Sequence, residues 1–225
     1  DYNRSAISSE KWKKDDFYDK KIIVPFAPET KLSGIEDIDF HESVFYRRKL
    51  KIPVEWEGQR IILHFGAVDY SAHIYIDERK AFDHRGGSSS FEVDITKFVT
   101  PGNTHSLVLH AEDFLRSATQ GNGKQSKIYH SQLCAYSRTT GIWQTVWIEA
   151  VPIEGLKNCK LTTDIDNGTI SLVPTYYSQP INKKLEIIIK GEGVEVAKQT
   201  VICASGATTT IKLNNPRLWS TIDPY

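Results

Sequence analysis

Short runs in which apolar and polar residues alternate constrain the fold of this chain more than any other feature. In residues 42–52, every second side chain from Val44 to Ile52 is apolar except Arg48, and most of the intervening side chains are polar. A period of two predicts an antiparallel strand with one buried and one exposed face. Runs of this kind recur along the chain with almost no helical periodicity, so the predicted fold class is all-β.

The remaining strand candidates are short, rich in β-branched and aromatic residues, and bounded by glycine, proline, aspartate or serine. In the first two thirds of the chain, the predicted strands are residues 60–65, 73–76, 91–95, 106–110 and 145–149. Turn residues at such short intervals are typical of β-sandwiches and β-barrels.

The pattern changes near residue 152, which indicates a domain boundary. Pro152 cannot donate to a central strand ladder, and Gly155 loosens the backbone that follows. The predicted domains are therefore residues 1–151 and 152–225. Predicted strands of the second domain are residues 156–163, 169–175, 184–190, 194–204 and 208–213. Asn167-Gly168 predicts a hairpin, and the spacing suggests an immunoglobulin-like sandwich cut short of its usual ~100 residues.

Charge and composition exclude several classes of partner. The chain has 28 basic and 28 acidic residues, so no broad electrostatic field favours nucleic acid or an anionic membrane. No apolar run approaches the ~20 residues of a membrane helix. We therefore expect no nucleic-acid and no membrane partner. The histidines lack a metal-ligand spacing, and we predict no metal and no cofactor.

The three cysteines, Cys134, Cys159 and Cys203, are far apart in sequence and are predicted to be isolated buried thiols. Asn3 and Asn167 begin glycosylation sequons, which matter only in a eukaryotic secretory setting. The sequence starts at Asp1 and contains no methionine, so we expect that start not to be a translation start. The compartment stays open, with a periplasmic or extracellular bacterial location as the working hypothesis.

Six segments carry motifs in a recognisable order. They are residues 22–29 (IIVPFAPE), 45–48 (FYRR), 63–70 (LHFGAVDY), 84–96 with His84-Arg-Gly-Gly87, 136–149 (YSRTTGIWQTVWIE) and 215–220 (NPRLWS) followed by Pro224-Tyr225. Together they resemble the N-terminal part of family-two glycoside hydrolases, which include β-galactosidases, β-glucuronidases and β-mannosidases. The resemblance covers nearly the whole chain.

The resemblance implies a galactose-binding-like jelly-roll β-sandwich over residues 1–151 and a truncated immunoglobulin-like β-sandwich over 152–225. It also implies a parent protein that is a retaining hydrolase of β-linked glycosides. In that family two glutamates on a downstream (β/α)8 barrel perform catalysis, and no segment here resembles their contexts. We therefore expect no catalytic residue in this chain, a carbohydrate substrate, and that barrel as its partner. A homo-oligomer is compatible with the sequence.

Trp143 and Trp147 belong to the motif of residues 136–149. Because large aromatic side chains dominate protein cores, we predict that both are core residues rather than sugar platforms.

The irregular stretch from residue 112 towards Arg138 is much longer than a structural connection requires, which predicts a functional loop. Its Gly123-Lys124-Gln125 resembles a motif of the β-galactosidase-like branch. An ammonium and a planar amide can both hydrogen-bond sugar hydroxyls. The candidate substrate-binding residues are Asp113, Arg116, Lys124, Gln125, Tyr136 and Arg138.

One position departs from the family pattern. Several members have a sugar-binding aspartate six residues before the glycine of the Gly-Ile-Trp motif, and this chain has Ala135 there. An alanine side chain cannot form a hydrogen bond, so that role does not transfer. Specificity for plain galactosides or glucuronides is therefore left open.

Two other functions fit the sequence. A free-standing carbohydrate-binding module would use exposed aromatic platforms, for which Tyr70, Tyr129 and Tyr136 are the candidates. A structural sandwich protein for adhesion or assembly would bind no sugar.

Overall fold

The computed structural model describes residues 6–224. The sequon at Asn3 and the last residue of the final motif, Tyr225, lie outside this range. Regular structure within it is nearly all β, which confirms the predicted fold class. The strands are β1 (Ser43–Lys51), β2 (Arg60–Phe65), β3 (Val68–Asp69), β4 (Ser71–Ile76), β5 (Arg79–Arg85), β6 (Phe91–Asp94), β7 (Thr104–Glu112), β8 (Gly141–Ile142), β9 (Val146–Val151), β10 (Leu156–Asp164), β11 (Thr169–Tyr176), β12 (Lys184–Gly191), β13 (Val194–Ile202) and β14 (Thr209–Lys212).

The chain divides into two compact units, Asp1–Val151 and Pro152–Tyr225. No helix within residues 6–224 is long and apolar enough to cross a membrane.

The first unit is a β-sandwich of two antiparallel sheets. One sheet has the strand order β1-β7-β4-β5 and the other β6-β2-β9, and the short strands β3 and β8 form a separate pair. Side chains from both sheets meet in one buried cluster, in which Leu63 and Phe65 of β2 pack with Ile74 of β4 and Leu109 of β7. Removing this apolar surface from water supplies the main driving force for folding of the unit.

Strand β1 confirms its predicted inner face and corrects its outer face. Tyr46 and Leu50 are buried in the main cluster as expected. On the opposite face Phe45 is also buried, in a second cluster with Trp12 and Val108. The segment before the sandwich, which contains the 3-10 helices Lys11–Lys13 and Asp15–Phe17, supplies this cover. A period-two pattern cannot predict that a strand face is buried by a segment outside the sheet.

Strand β5 was not predicted from the sequence. Its side chains are mostly polar and exposed, because it is the edge strand of its sheet. The turn before it places Asp77 and Glu78 at φ values of 45° and 66°. Hairpin turns with positive φ usually carry glycine or asparagine, so this one left no turn signal in the sequence.

The second unit is a smaller sandwich. Its sheets are β10-β11-β14 and β12-β13, and Leu172, Ile187 and Ile211 form its buried core. The predicted hairpin at Asn167-Gly168 is confirmed, with residues 165–168 joining the paired residues Asp164 and Thr169. The Asp164 carboxylate accepts a hydrogen bond of 2.9 Å from the backbone N–H of Asn167.

The cysteines are free thiols, but only one matches the expected burial. Cys203 is buried, Cys159 is partly buried and Cys134 is exposed. The prediction of a buried thiol is wrong for Cys134 because it lies in the irregular loop, where no second layer covers it.

Gly141, at the start of β8, offers a direct test of packing against Tyr46. Its φ is +71°, and an added Cβ would lie 2.3 Å from the buried Tyr46 hydroxyl oxygen. Gly34 has a similar φ of +80° but open space around it. We expect Gly141→Ala to lower the free energy of unfolding by about 3 kcal/mol, from backbone strain plus overpacking.

The matched variant Gly34→Ala has only the backbone strain and should cost about 1 kcal/mol. Urea denaturation of both variants, followed by circular dichroism, measures the difference. Equal costs would show that the contact with Tyr46 does not constrain this position.

Candidate functional site

Residues 113–140, here called the long loop, connect β7 to β8 without regular structure. The loop closes on itself at Lys124 and Tyr136. The Tyr136 N–H donates to the Lys124 carbonyl oxygen at 2.7 Å, and the Ser126 N–H donates to the Tyr136 carbonyl oxygen at 3.0 Å. Ser126 is fully buried, and its hydroxyl donates to the His130 carbonyl oxygen at 2.7 Å. These bonds give the segment between Lys124 and Tyr136 a defined shape.

Gln125 ties the long loop to the sandwich. Its side-chain amide donates to the Asp69 carboxyl at 2.6 Å, and its amide oxygen accepts from the Thr139 N–H at 2.8 Å. Both ends of the planar amide are therefore engaged, which fixes its orientation. Asp69 belongs to β3 and is 6% exposed. A Cβ on Gly87 would lie 2.2 Å from an Asp69 carboxyl oxygen, so only glycine fits behind this carboxyl.

Asp113, the first residue of the loop, is also buried, at 3% exposure. One carboxyl oxygen accepts from the Gln120 side-chain amide at 2.6 Å, and the other from the Thr140 hydroxyl at 3.5 Å. Burial first, and then repulsion from the Asp69 carboxylate, raise the pKa of Asp113 to about 7. Burial likewise raises the pKa of Asp69. Hence these acids lie inside the base of the loop rather than on its surface.

Arg138 is buried and braces the loop from within. Its guanidinium donates to the Ile128 carbonyl oxygen at 2.6 Å and also to the carbonyl oxygen of Ile38. It lies 4.1 Å from the centre of the Phe40 ring. The Arg116 guanidinium contacts the same ring at 4.3 Å. Both arginines therefore hold the loop against the segment that precedes β1.

Lys124 and Tyr136 are exposed side by side where the loop closes. The Lys124 ammonium is 5.9 Å from the centre of the Tyr136 ring, and Tyr136 is 61% exposed. Ala135 lies next to them, and its backbone N–H donates to the Gln132 carbonyl oxygen at 2.8 Å. An aromatic face with a neighbouring cation is thus presented to solvent on a fixed backbone.

The structure brings the predicted site residues into one loop but gives them different surroundings. Lys124, Tyr136 and Arg116 are exposed, Gln125 is half-buried, and Asp113 and Arg138 are buried. That these residues bind substrate stays a prediction. Sequence reasoning missed Asp69 and Gly87, although both lie in recognised motifs. The motifs identified the segments but not the contact of this buried carboxyl with the loop.

The two tryptophans after the loop correct the prediction that both are core residues. Trp147 is 45% exposed and stacks on His64, with ring centres 4.6 Å apart. Trp143 is half-buried and donates to the Gly87 carbonyl oxygen at 2.7 Å. Trp147 points outward because Val146 and Ile148, its neighbours on β9, pack towards the core. Aromatic character alone could not fix which face of the strand is buried.

The chain belongs to glycoside hydrolase family 2. Residues 4–152 match the family described as "Glycosyl hydrolases family 2, sugar binding domain". This match confirms the resemblance that the sequence motifs indicate.

Curated relatives share low identity over most of the chain. A β-galactosidase of Thermoanaerobacter pseudethanolicus is 26% identical over 83% of this chain, which corresponds to 25% of that protein. A β-glucuronidase of Paenibacillus borealis is 23% identical over 81% of this chain and 32% of its own length. The chain therefore spans about a quarter to a third of these relatives.

Solved structures show the same fold. A β-glucuronidase of Ruminococcus gnavus superposes with a TM-score of 0.76 at 18% identity, covering all of this chain and 37% of its own.

The burial of Asp113 predicts a pH effect on stability. Its folded pKa of about 7 exceeds the ordinary value of about 3.9. Between these values the folded chain holds a proton that the unfolded chain has released, so stability falls as pH rises. Asp113→Asn should remove this dependence, which amounts to at most about 4 kcal/mol.

Thermal unfolding from pH 5 to pH 8 measures the effect. The melting temperature of Asp113→Asn relative to the unmodified chain should rise across this range, and exposed Asp166→Asn serves as the control. If the two variants show the same pH profile, Asp113 is not held in a proton-retaining site.

Proposed function

We propose that this chain is the non-catalytic N-terminal region of a retaining glycoside hydrolase that acts on β-linked glycosides. Residues 1–151 would be its sugar-binding jelly roll, and residues 152–225 would belong to an immunoglobulin-like sandwich. The observation that carries the proposal is the long loop, which buried polar contacts hold in place while Lys124 and Tyr136 stay exposed. The match of residues 4–152 to the sugar-binding domain of the family supports the same conclusion.

Lys124 and Tyr136 suit a sugar. The face of an aromatic ring accepts the apolar face of a pyranose, and an ammonium donates hydrogen bonds to hydroxyl groups. In this proposal Gln125, Asp113 and Arg138 act as positioning residues, because their polar groups are engaged within the protein. Arg116 contributes a second exposed cation at the side of the loop.

The chemistry itself is assigned to a downstream part of the parent protein. Retaining hydrolysis uses two carboxyl groups about 5–5.5 Å apart, flanking the glycosidic bond. The two carboxyls at the base of the loop belong to Asp113 and Asp69. Both are buried and do not face the solvent side where a sugar would bind. We propose instead two glutamates on a (β/α)8 barrel, consistent with relatives that are three to four times longer than the matched region.

Holding the sugar at the loop would lower the entropic part of the activation barrier for the hydrolysis that takes place on that barrel. The β-galactosidase-like assignment rests on Gly123-Lys124-Gln125 and on the similarity to a β-galactosidase. Similarity to β-glucuronidases makes glucuronides the first alternative substrate.

Kinetics of the full-length parent protein would test this role. We expect Lys124→Ala and Tyr136→Ala to reduce kcat/KM for nitrophenyl β-galactoside or β-glucuronide at least about tenfold, the loss of roughly 1.4 kcal/mol of transition-state binding. Lys127→Ala is the matched control, since Lys127 is an exposed lysine of the same loop. Unchanged kinetics in both site variants would remove these residues from the substrate pocket.

The exposure of Tyr129 and Tyr136, at 58% and 61%, favours one alternative, a free-standing carbohydrate-binding module. Calorimetry of residues 1–225 against galactose, glucuronate and their oligosaccharides separates the two functions. A loop that forms only one wall of a pocket should bind these sugars weakly, whereas a module should bind without any partner. A structural sandwich protein would show no dependence on sugar in either assay.

A further inference from the structure

The first unit contains a large cleft that the long loop does not touch. Its volume is about 820 Å³, within the range of about 300–1,000 Å³ of ligand pockets. All nine residues of β1 line it, together with residues 145–148 at β9. Four core side chains, each at most 7% exposed, form its floor: Leu63, Phe65, Leu107 and Leu109. The cleft therefore lies over the margin of the core between the two sheets.

Both strands beside the cleft are sheet edges. Among residues 6–224, β1 pairs only with β7 and β9 pairs only with β2. The segment around residues 18–25 lines the cleft but pairs with neither edge. An unpaired edge presents a row of backbone N–H and C=O groups that can accept another strand.

The charge along the cleft is mainly basic. Arg48 lies on the same face of β1 as the buried Tyr46 and Leu50, yet it is exposed and forms no ion pair with any residue from 6 to 224. Lys49 and Lys51 follow on the same strand. Lys20 and Lys21 also line the cleft, where the Lys20 ammonium pairs with the Asp37 carboxylate at 3.5 Å. From Val44 to Leu50, the inner face of β1 therefore carries three apolar side chains and one basic side chain, that of Arg48.

A second copy of the chain is a poor occupant. Antiparallel pairing of two β1 edges along their full length would place Arg47 opposite Arg47 and Arg48 diagonal to Arg48 of the other copy. Like charges opposite each other destabilise a strand pair. The edge therefore selects for a partner of opposite charge.

We propose that this cleft binds an extended peptide strand that adds to the outer edge of β1, with apolar side chains packing on the core residues of the cleft floor and one carboxylate opposite Arg48. Nine residues of strand span about 30 Å and can pair along the full length of β1. Main-chain hydrogen bonds supply affinity, and alternate side chains supply specificity. A carboxylate facing Arg48 forms a charge-assisted hydrogen bond, the strongest kind available at this position.

Fluorescence anisotropy of labelled nine-residue peptides on the whole chain tests the proposal. The first peptide alternates valine or leucine with threonine and carries one central glutamate on the apolar face. The second carries lysine in place of that glutamate, and the third carries a central proline, which cannot complete the ladder. We expect saturable binding of the first peptide alone.

Two charge reversals on adjacent residues separate a specific contact from general attraction. Arg48→Glu should lower the affinity for the glutamate peptide at least about tenfold and raise the affinity for the lysine peptide. Lys49→Glu is the matched control, since Lys49 is also exposed, undergoes the same charge reversal and lies on the opposite face of β1. It should weaken binding by less than about threefold.

Hydrogen exchange gives a second readout. The β1 amides that point away from β7 should gain protection when the glutamate peptide binds. Absence of saturable binding by any peptide, or equal effects of the two reversals, would overturn the proposal. A concentration-dependent dimer that the peptide cannot dissociate would overturn it in favour of a second copy.

Discussion

The hydrogen bond between Gln125 and the buried Asp69 carboxyl connects the long loop of the candidate site to the sandwich. It joins a loop without regular structure to strand β3 of the sandwich, over 56 residues of sequence. A buried carboxyl is costly unless its oxygens are hydrogen-bonded, so the loop also satisfies a group that the sandwich requires. Gly87 leaves the space that this carboxyl occupies. Loop position and sandwich packing therefore depend on each other.

The same logic extends to the base of the loop. Asp113 and Asp69 are close enough that repulsion between their carboxyls contributes to the raised pKa of Asp113. Hydrogen bonds from Gln120 and Thr140 offset part of that cost. Buried polar groups of this kind specify one arrangement when all are satisfied. These contacts, rather than regular secondary structure, fix the geometry of the exposed surface at Lys124 and Tyr136.

Prediction from sequence succeeded where the physical signal was local. A short run rich in β-branched and aromatic residues located β2 at residues 60–65 without error, and Asn167-Gly168 located a hairpin. It failed at β5, whose turn at Asp77 and Glu78 lacks the usual glycine or asparagine. It also failed at Phe45, because its cover comes from residues far away in sequence.

For the candidate site, sequence placed the six residues on one loop but could not rank their exposure. Arg138 and Lys124 are both basic residues of an irregular segment, yet one is buried against Phe40 and the other faces solvent. That difference arises from which backbone carbonyls approach each side chain, and no local pattern encodes it.

The sequence by itself determined the all-β class, most strands and the family, because these follow from periodicity, turn chemistry and ordered motifs. Only the tertiary structure decided that Trp147 faces outward, that Asp69 anchors the loop, and that an open cleft runs beside β1. Each of these depends on contacts between segments distant in the chain. Such contacts are fixed by how the sheets and loops pack, after the local patterns have already been satisfied.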